Sequence, residues 1–269
     1  MTAPRVTLVL PAYNEAARLG AALDELFAYL DTNADLAERI EVLVVDDGST
    51  DGTRDIVTRR ALAPTVAGRR QPPLAVMPVP HAGKGAAVRA GMLAAQGDLV
   101  VFADADMATP PDQLPKLLAA LERSDVALGS RFQPDGSDLR ASQPLLRRVL
   151  GRFFHALAAA WVSGPVRDTQ CGFKGFRRHV ARDLFGRQQI TSIVFDVELI
   201  YLARRRNYRL EVVPVRWSDR RGSRMRARPG LAVRVAWDLF RIPLIHRTPG
   251  HAQAGATAVQ PEPERPTLE

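Results

Sequence analysis

One cysteine, Cys171, is all the chain has. No internal disulfide can form, and a reducing compartment suits such a sequence. Long apolar runs are also missing. The longest, residues 156–162, has seven residues, where a spanning helix needs about 20, so an integral membrane protein is not expected. The start has no charged leader followed by an apolar stretch and a small-residue cleavage site, so no signal peptide is expected. There is no internal repeat. No Gly-x-x-x-x-Gly-Lys-Ser/Thr loop is present, which excludes a P-loop, and Val88 stands where a dinucleotide fingerprint needs its third glycine. His81, His155, His179 and His246 lack metal-ligand spacing and receive no role.

What is there is ordinary in proportion: 269 residues, 46% hydrophobic and 25% charged. A chain of this length buries roughly 70–75% of its unfolded surface and holds a core without staples. The formal net charge of +8 hides a split. Residues 1–130 carry 12 Lys and Arg against 17 Asp and Glu, and residues 131–269 carry 25 against 12. The acidic half suits a metal ion, and the basic half suits phosphates, nucleic acid or an anionic membrane. The plainer alternative is that arginine, 34 of the 37 basic residues, is simply the surface cation of this chain.

Two periodicities alternate through the first half. Short apolar runs predict strands at 5–10, 40–45, 74–79, 99–103 and 126–128, and helical spacing predicts helices at 15–30, 51–61, 85–95 and 113–121. Buried strands alternating with amphipathic helices predict an α/β fold, a mostly parallel central sheet with helices on both faces. Ligands of such sheets bind beyond the carboxyl ends of the strands. The unusual residues fall there: Tyr13-Asn14-Glu15, Asp46-Asp47, residues 81–84 and Asp104-Ala105-Asp106. The second half predicts helices at 145–162, 195–206 and 231–245, a strand at 210–215 and a basic loop at 220–228. Residues 61–73 read as a Pro/Arg-rich surface loop, and 248–269 as a disordered tail.

Asp104 and Asp106 stand two apart at a predicted strand end, where side chains at i and i+2 share a side. Two such carboxylates are costly together unless a cation lies between them. Mg²⁺ or Mn²⁺, with substrate phosphates as further ligands, is the natural occupant; two solvated turn aspartates are the plainer alternative. Gly83-Lys84-Gly85 opens a predicted helix, where backbone N–H groups and Lys84 can meet a phosphate. Asp196 and Glu198 read equally well as surface carboxylates beside arginines, and Cys171 as a small packed residue.

These segments occur in a definite order: Pro11-Ala12-Tyr13-Asn14-Glu15, Val45-Asp46-Asp47-Gly48-Ser49, Gly83-Lys84-Gly85, Asp104-Ala105-Asp106, Gly129-Ser130-Arg131-Phe132, then Asp168-Thr169-Gln170-Cys171-Gly172-Phe173-Lys174 and Phe195-Asp196-Val197-Glu198. Over about residues 4–230 the chain resembles the family 2, GT-A fold glycosyltransferases. Its Asp168-to-Lys174 run and Thr109-Pro110 resemble the dolichyl (polyprenyl) phosphate β-glucosyltransferase branch. The resemblance implies one GT-A domain over 1–247, with a nucleotide-binding half at 1–130 and an acceptor-binding half at 131–247. It implies that Pro11, Ala12, Tyr13, Glu15, Asp46 and Asp47 frame a uridine nucleotide with Lys84, Asp104 and Ala105, and that Asp104 and Asp106 hold Mg²⁺ or Mn²⁺. Asp168 and Gln170 would meet the sugar, and Ser130, Arg131, Lys174 and Arg224 the acceptor phosphate. Catalytic weight would rest on Asp104, Asp106, Arg131 and Asp168.

The function so implied is inverting, metal-dependent transfer of glucose from UDP-glucose to a polyprenyl phosphate. The protein would be peripheral at the cytoplasmic, inner membrane face. An anionic membrane surface would be one partner and a separate membrane protein another; nucleic acid is not expected. Helices 145–162 and 231–245, aromatic on one side and Arg-bearing on the other, would lie in the headgroup region or pack on the catalytic domain. Two other readings use the same residues: a transferase with GDP-mannose, a UDP-N-acetylhexosamine or a soluble acceptor, and a non-catalytic binder of anionic membrane or nucleic acid on the same scaffold.

Overall fold

A computed structural model describes residues 3–63, 72–133, 135, 137–139, 162, 166, 168–218 and 229–247, with side chains in the last segment from 234 onward. Helix 145–162 up to its last residue, the basic loop with Arg224, the tail, and residues 64–71 of the Pro/Arg-rich loop lie outside the described residues.

The strands are β1 (Val6–Ala12), β2 (Ile40–Asp46), β3 (Leu74–Pro78), β4 (Leu99–Ala103), β5 (Val126–Ser130), β6 (Phe173–Arg177) and β7 (Leu210–Pro214). The helices are α1 (Ala16–Asp31), a single-turn α2 (Ala34–Ala37), α3 (Thr53–Ala61), α4 (Lys84–Ala94), α5 (Leu114–Arg123), α6 (Arg178–Arg187), α7 (Phe195–Arg205) and α8 (Pro229–Ile245). The strands form one sheet in the order β3-β2-β1-β4-β6-β5-β7. Every pairing is parallel except those of β6, which runs antiparallel to β4 and β5.

Alternation along the strands feeds two cores. In β1, Val6, Leu8 and Leu10 join Leu19, Leu23 and Leu26 of α1 and Leu117 and Leu121 of α5 on one face. Val9 faces the other way, with Val88 and Met92 of α4, Leu184 and Phe185 of α6 and Phe195 of α7. β4 divides likewise, Val101 to the first core and Val100 and Phe102 to the second. Both faces are covered, which is why these strands read as unbroken apolar runs. A smaller core holds α8 against α7: Ile190, Val194, Val197, Leu239 and Ile242.

β6 and α6 are additions to the sequence expectation. β6 carries Lys174 between Phe173 and Phe176, and that lysine is completely buried. Its Nζ donates to Asp196 Oδ1 and to the Cys171 carbonyl oxygen, both at 2.6 Å, and lies 5.4 Å from the centroid of the Phe102 ring. Lys174, expected to face an acceptor phosphate, is instead a core cation, and Asp196 is its buried partner rather than a surface carboxylate. Burial pushes the Asp196 carboxyl up, against the pull of Lys174. Removing one partner of such a pair strands the other charge. Lys174→Met is expected to cost about 3–5 kcal/mol in urea unfolding, and Lys174→Met with Asp196→Leu to recover most of that loss.

Candidate active site

The chain runs from β1 outward to β2 and β3, then returns to place β4 on the other side of β1. The crevice above the carboxyl ends of β1 and β4 is thus the point where strand order reverses, the usual ligand position in open α/β sheets. Because β6 runs antiparallel, its preceding residues 168–172 reach the same sheet edge.

Loops at this edge are laced together. Asn14 holds a left-handed conformation (φ 54°), and its Oδ1 accepts from the Thr50 and Asp51 amides at 2.8 and 3.3 Å. The Asn14 and Glu15 amides donate to Ser49 Oγ and Thr53 Oγ1 at 2.9 and 2.8 Å. Asp46, expected at the nucleotide, is fully buried. It accepts from the Ser49 amide and from Arg54, which hold its carboxyl below the usual range although burial alone would raise it. It ties β2 to α3 rather than facing a ligand. Asp47 accepts from the Ala82 and Gly83 amides at 2.9 and 3.0 Å and fixes the loop that opens α4.

Lys84 is the first residue of α4, and its Nζ lies 2.5 Å from Asp104 Oδ1. Burial favours a neutral amine there, but Asp104, with Asp196 behind it, outweighs burial and raises the ammonium's pKa. The next residue, Gly85, donates its amide to the Thr191 carbonyl at 3.0 Å, and a Cβ at 85 would stand 2.7 Å from that oxygen. Gln188 Nε2 donates to the Gly85 carbonyl. The 188–192 segment is gripped from its other side as well. The fully buried Glu198 accepts from the Gln189 and Ile190 amides and contacts His246 Nε2 at 2.7 Å, and Ser192 donates to Asp238 of α8. Glu198 is therefore a buried tie between α7, this segment and α8, and His246, without a role in the sequence, is its partner.

Asp104 and Asp106 follow β4 in a turn closed by the Met107 amide on the Asp104 carbonyl, with Met107 at φ 49°. Extended-strand alternation is thus not what brings them near one another; the turn is. Burial first, and Asp104 second, push the Asp106 carboxyl up from its ordinary value. Arg18 NH1 reaches Asp106 Oδ2 at 3.2 Å while the same guanidinium holds Glu15 through two bonds of 2.6 and 2.8 Å. Arg18 has no signal in the sequence beyond its place in the first turn of α1, yet it joins two expected site residues. Ala105, within the turn, is buried in the first core, and Pro11 and Ala12 form the end of β1. Asp104 lies directly against Gly172, whose Cβ, if it had one, would overlap the carboxylate.

On the far side of β4, Arg131 follows β5 and grips Asp168 through Nε and NH2 at 2.8 and 2.7 Å, with its amide on Oδ2 at 2.9 Å. Burial opposes the Arg131 charge, but Asp168 outweighs it and raises the guanidinium's pKa. The Arg131 Cζ lies over the Trp217 ring, 5.5 Å from its centroid. Ser130 is buried and accepts from the Phe132 amide, and Gln170 is half-buried beside this pair in sequence. Cys171 is buried; burial, then Asp168, pushes its thiol up to about 12, so it is no nucleophile near neutral pH.

Among the described residues no group of three or more His, Cys, Asp or Glu side chains could hold a metal by itself. Asp104 and Asp106 nevertheless fit a hard divalent ion, which keeps few protein carboxylates and takes substrate phosphate oxygens for the rest. Burial contributes most to raising Asp106, and the repulsion from Asp104 that adds to it is what such an ion would relieve.

The family model described as glycosyl transferase family 2 matches residues 7–185. A dolichyl-phosphate beta-glucosyltransferase of Trichomonas vaginalis, ALG5C, is 37% identical over 90% of this chain and 71% of its own length. The Drosophila melanogaster and Homo sapiens proteins of the same name are 38% and 32% identical, each over 82% of this chain and 69% of theirs. Among solved structures, glucosyl-3-phosphoglycerate synthase from Mycobacterium tuberculosis with UDP, Mn²⁺ and glucosyl-3-phosphoglycerate superposes with a TM-score of 0.58 at 21% identity, over 90% of this chain and 79% of that one. S. aureus TarS with UDP-GlcNAc gives 0.56 at 20% identity, over 89% and 66%.

Proposed function

Because the chain belongs to glycosyltransferase family 2, in the company of dolichyl-phosphate β-glucosyltransferases, we propose that it moves glucose from UDP-glucose onto a polyprenyl phosphate with inversion at the anomeric carbon. One observation carries this: the crevice where strand order reverses gathers Lys84, Asp104, Asp106 and Arg18, with the Arg131–Asp168 pair beyond β4 on the same sheet edge.

A phosphate-monoester acceptor is already anionic near neutral pH, so its oxygen attacks without a strong general base. The new bond to the anomeric carbon forms as the bond to the UDP oxygen breaks, which turns an α-linked donor into a β-linked product. The protein's work is orientation and charge. Tyr13, Glu15 and Asp47 frame the nucleoside. Lys84, anchored by Asp104, meets the diphosphate. Asp168 and Gln170 meet sugar hydroxyls, and Asp168 also aims the Arg131 fork at phosphate oxygens, with Ser130 and Arg224 as further acceptor-side groups. Asp104 and Asp106 would hold Mg²⁺ or Mn²⁺, which when bound neutralises charge on the departing diphosphate. The Mn²⁺ and UDP of the solved synthase support that choice. Residues 1–247 act as one unit, donor side 1–130 and acceptor side 131–247.

No helix among the described residues is long and apolar enough to cross a membrane. α8 instead exposes Trp237, Phe240 and Leu244 on the side away from the Leu239–Ile242 core, beside the exposed Arg234. That face supports a peripheral position on a membrane surface; the reading puts it on the inner, cytoplasmic leaflet, with or without a membrane-protein partner. The full chain is expected to sediment with anionic vesicles at low salt, and Trp237→Ala with Phe240→Ala to weaken binding about tenfold or more, since each buried aromatic contributes about 1.5–3 kcal/mol. Sedimentation unchanged by these substitutions would remove α8 from the interface.

The transfer itself is tested by incubating the chain with Mn²⁺, a short polyprenyl phosphate and one donor at a time, with mass detection of the lipid. UDP-glucose is expected to give the hexosylated lipid, ahead of GDP-mannose and UDP-N-acetylglucosamine. Product only with another donor, or only on a soluble phosphorylated acceptor, would replace this reading.

A further inference from the structure

His81 has no motif around it, yet it stands beside Tyr13 in the loop that Asp47 anchors at the crevice. Its Nδ1 lies 2.9 Å from Asp47 Oδ2 and 3.0 Å from the Asp47 carbonyl oxygen. Both are acceptors, so Nδ1 carries the proton, and in the neutral ring Nε2 keeps its lone pair. Tyr13 stacks on the imidazole, centroids 4.1 Å apart and planes 17° apart, which fixes the ring plane. The Asp47 carboxylate that holds Nδ1 also holds the Ala82 and Gly83 amides, so the ring is tied to the loop opening α4. Among the described residues nothing bonds Nε2, and 52% of the side chain is exposed. The result is one acceptor with a fixed direction beyond the carboxyl ends of β2 and β3.

We propose that His81 determines base specificity: Nε2 accepts the ring N3–H of uracil, edge to edge. This deepens the uridine-donor reading and rests on it. Uracil presents a ring N–H between two carbonyl groups. Cytosine presents a lone pair at the same ring position, which would face the lone pair of Nε2. Discrimination of this kind is strong because the wrong base leaves polar groups unpaired in contact.

The test is calorimetric titration of the full chain, with Mg²⁺, by UDP, N3-methyl-UDP and CDP. Wild type is expected to bind N3-methyl-UDP and CDP at least about tenfold more weakly than UDP. His81→Asn keeps a donor toward Asp47 but has no Nε2, and His81→Phe keeps the ring stack without either nitrogen. In both, the gap is expected to shrink to within about threefold, mainly through weaker UDP binding. A measurement without substitutions is the ¹⁵N shift of His81 Nε2, expected to move on adding UDP and to stay put on adding N3-methyl-UDP. A gap that is missing in wild type, or that persists at full size in both variants, overturns the inference while UDP binding still supports the donor reading. No UDP binding by wild type sinks both.

Discussion

Asp106→Ala is expected to lower glucosyl transfer about a thousandfold or more, roughly 4 kcal/mol of transition-state stabilisation, while leaving the fold intact. The two halves of this expectation have one cause. Asp106 is held in a partly buried turn next to Asp104, and burial with that neighbour raises its carboxyl pKa. The native fold therefore gains little from its charge; its partners are Arg18 at 3.2 Å and the Ala108 amide at 3.1 Å. A carboxylate kept where it is electrostatically unfavourable points to a ligand that needs it. Thermal melting of the variant is expected within a few degrees of wild type, and Asp106→Asn, which keeps the volume, is expected to be equally inactive. Activity retained in either variant would take Asp106 out of the site.

Gly172→Ala is the second large effect, about a hundredfold or more in kcat/KM, roughly 2.7 kcal/mol. Gly172 precedes β6, and its carbonyl accepts from the Asp104 amide at 3.0 Å. That bond presses residue 172 against the Asp104 side chain, so any Cβ would overlap the carboxylate. The methyl group must displace Asp104 from Lys84, or shift the start of β6 together with the Asp168 segment leading into it. Either movement disturbs the donor side and the acceptor side at once. The readout is steady-state kinetics, accompanied by circular dichroism to establish that the sheet persists. Near-normal kinetics would mean that Asp104 does not need its present position.

The expected α/β architecture is the one found, because both-face burial writes strands as apolar runs: β4 was readable to the residue, and β1, β2, β3, β5 and β7 to within a few. β6 was not readable, since a buried lysine interrupts it and that lysine's partner, Asp196, is 22 positions away. α6 hid behind its arginines, although Val180, Ala181, Leu184 and Phe185 form its buried side. The gathering of Asp104, Asp106, Lys84, Arg131 and Asp168 at one sheet edge was legible from strand-end position and from the family resemblance. The Arg131–Asp168 grip, Arg18 bridging Glu15 to Asp106, and His81 on Tyr13 were not, because each joins residues distant in sequence or outside any motif. Asp46, Lys174, Asp196 and Glu198 carry charge that looks available in a sequence. Only packing reveals that each is buried.

The central claim is that Asp104 and Asp106 hold a divalent ion together with a uridine diphosphate, and Mn²⁺ electron paramagnetic resonance addresses it without requiring turnover. Titrating the chain with Mn²⁺ in the presence of UDP should immobilise one ion per chain, with much weaker binding when UDP is omitted and none of it in Asp106→Ala. Mn²⁺ binding that ignores UDP, or that Asp106→Ala leaves unchanged, would contradict the account.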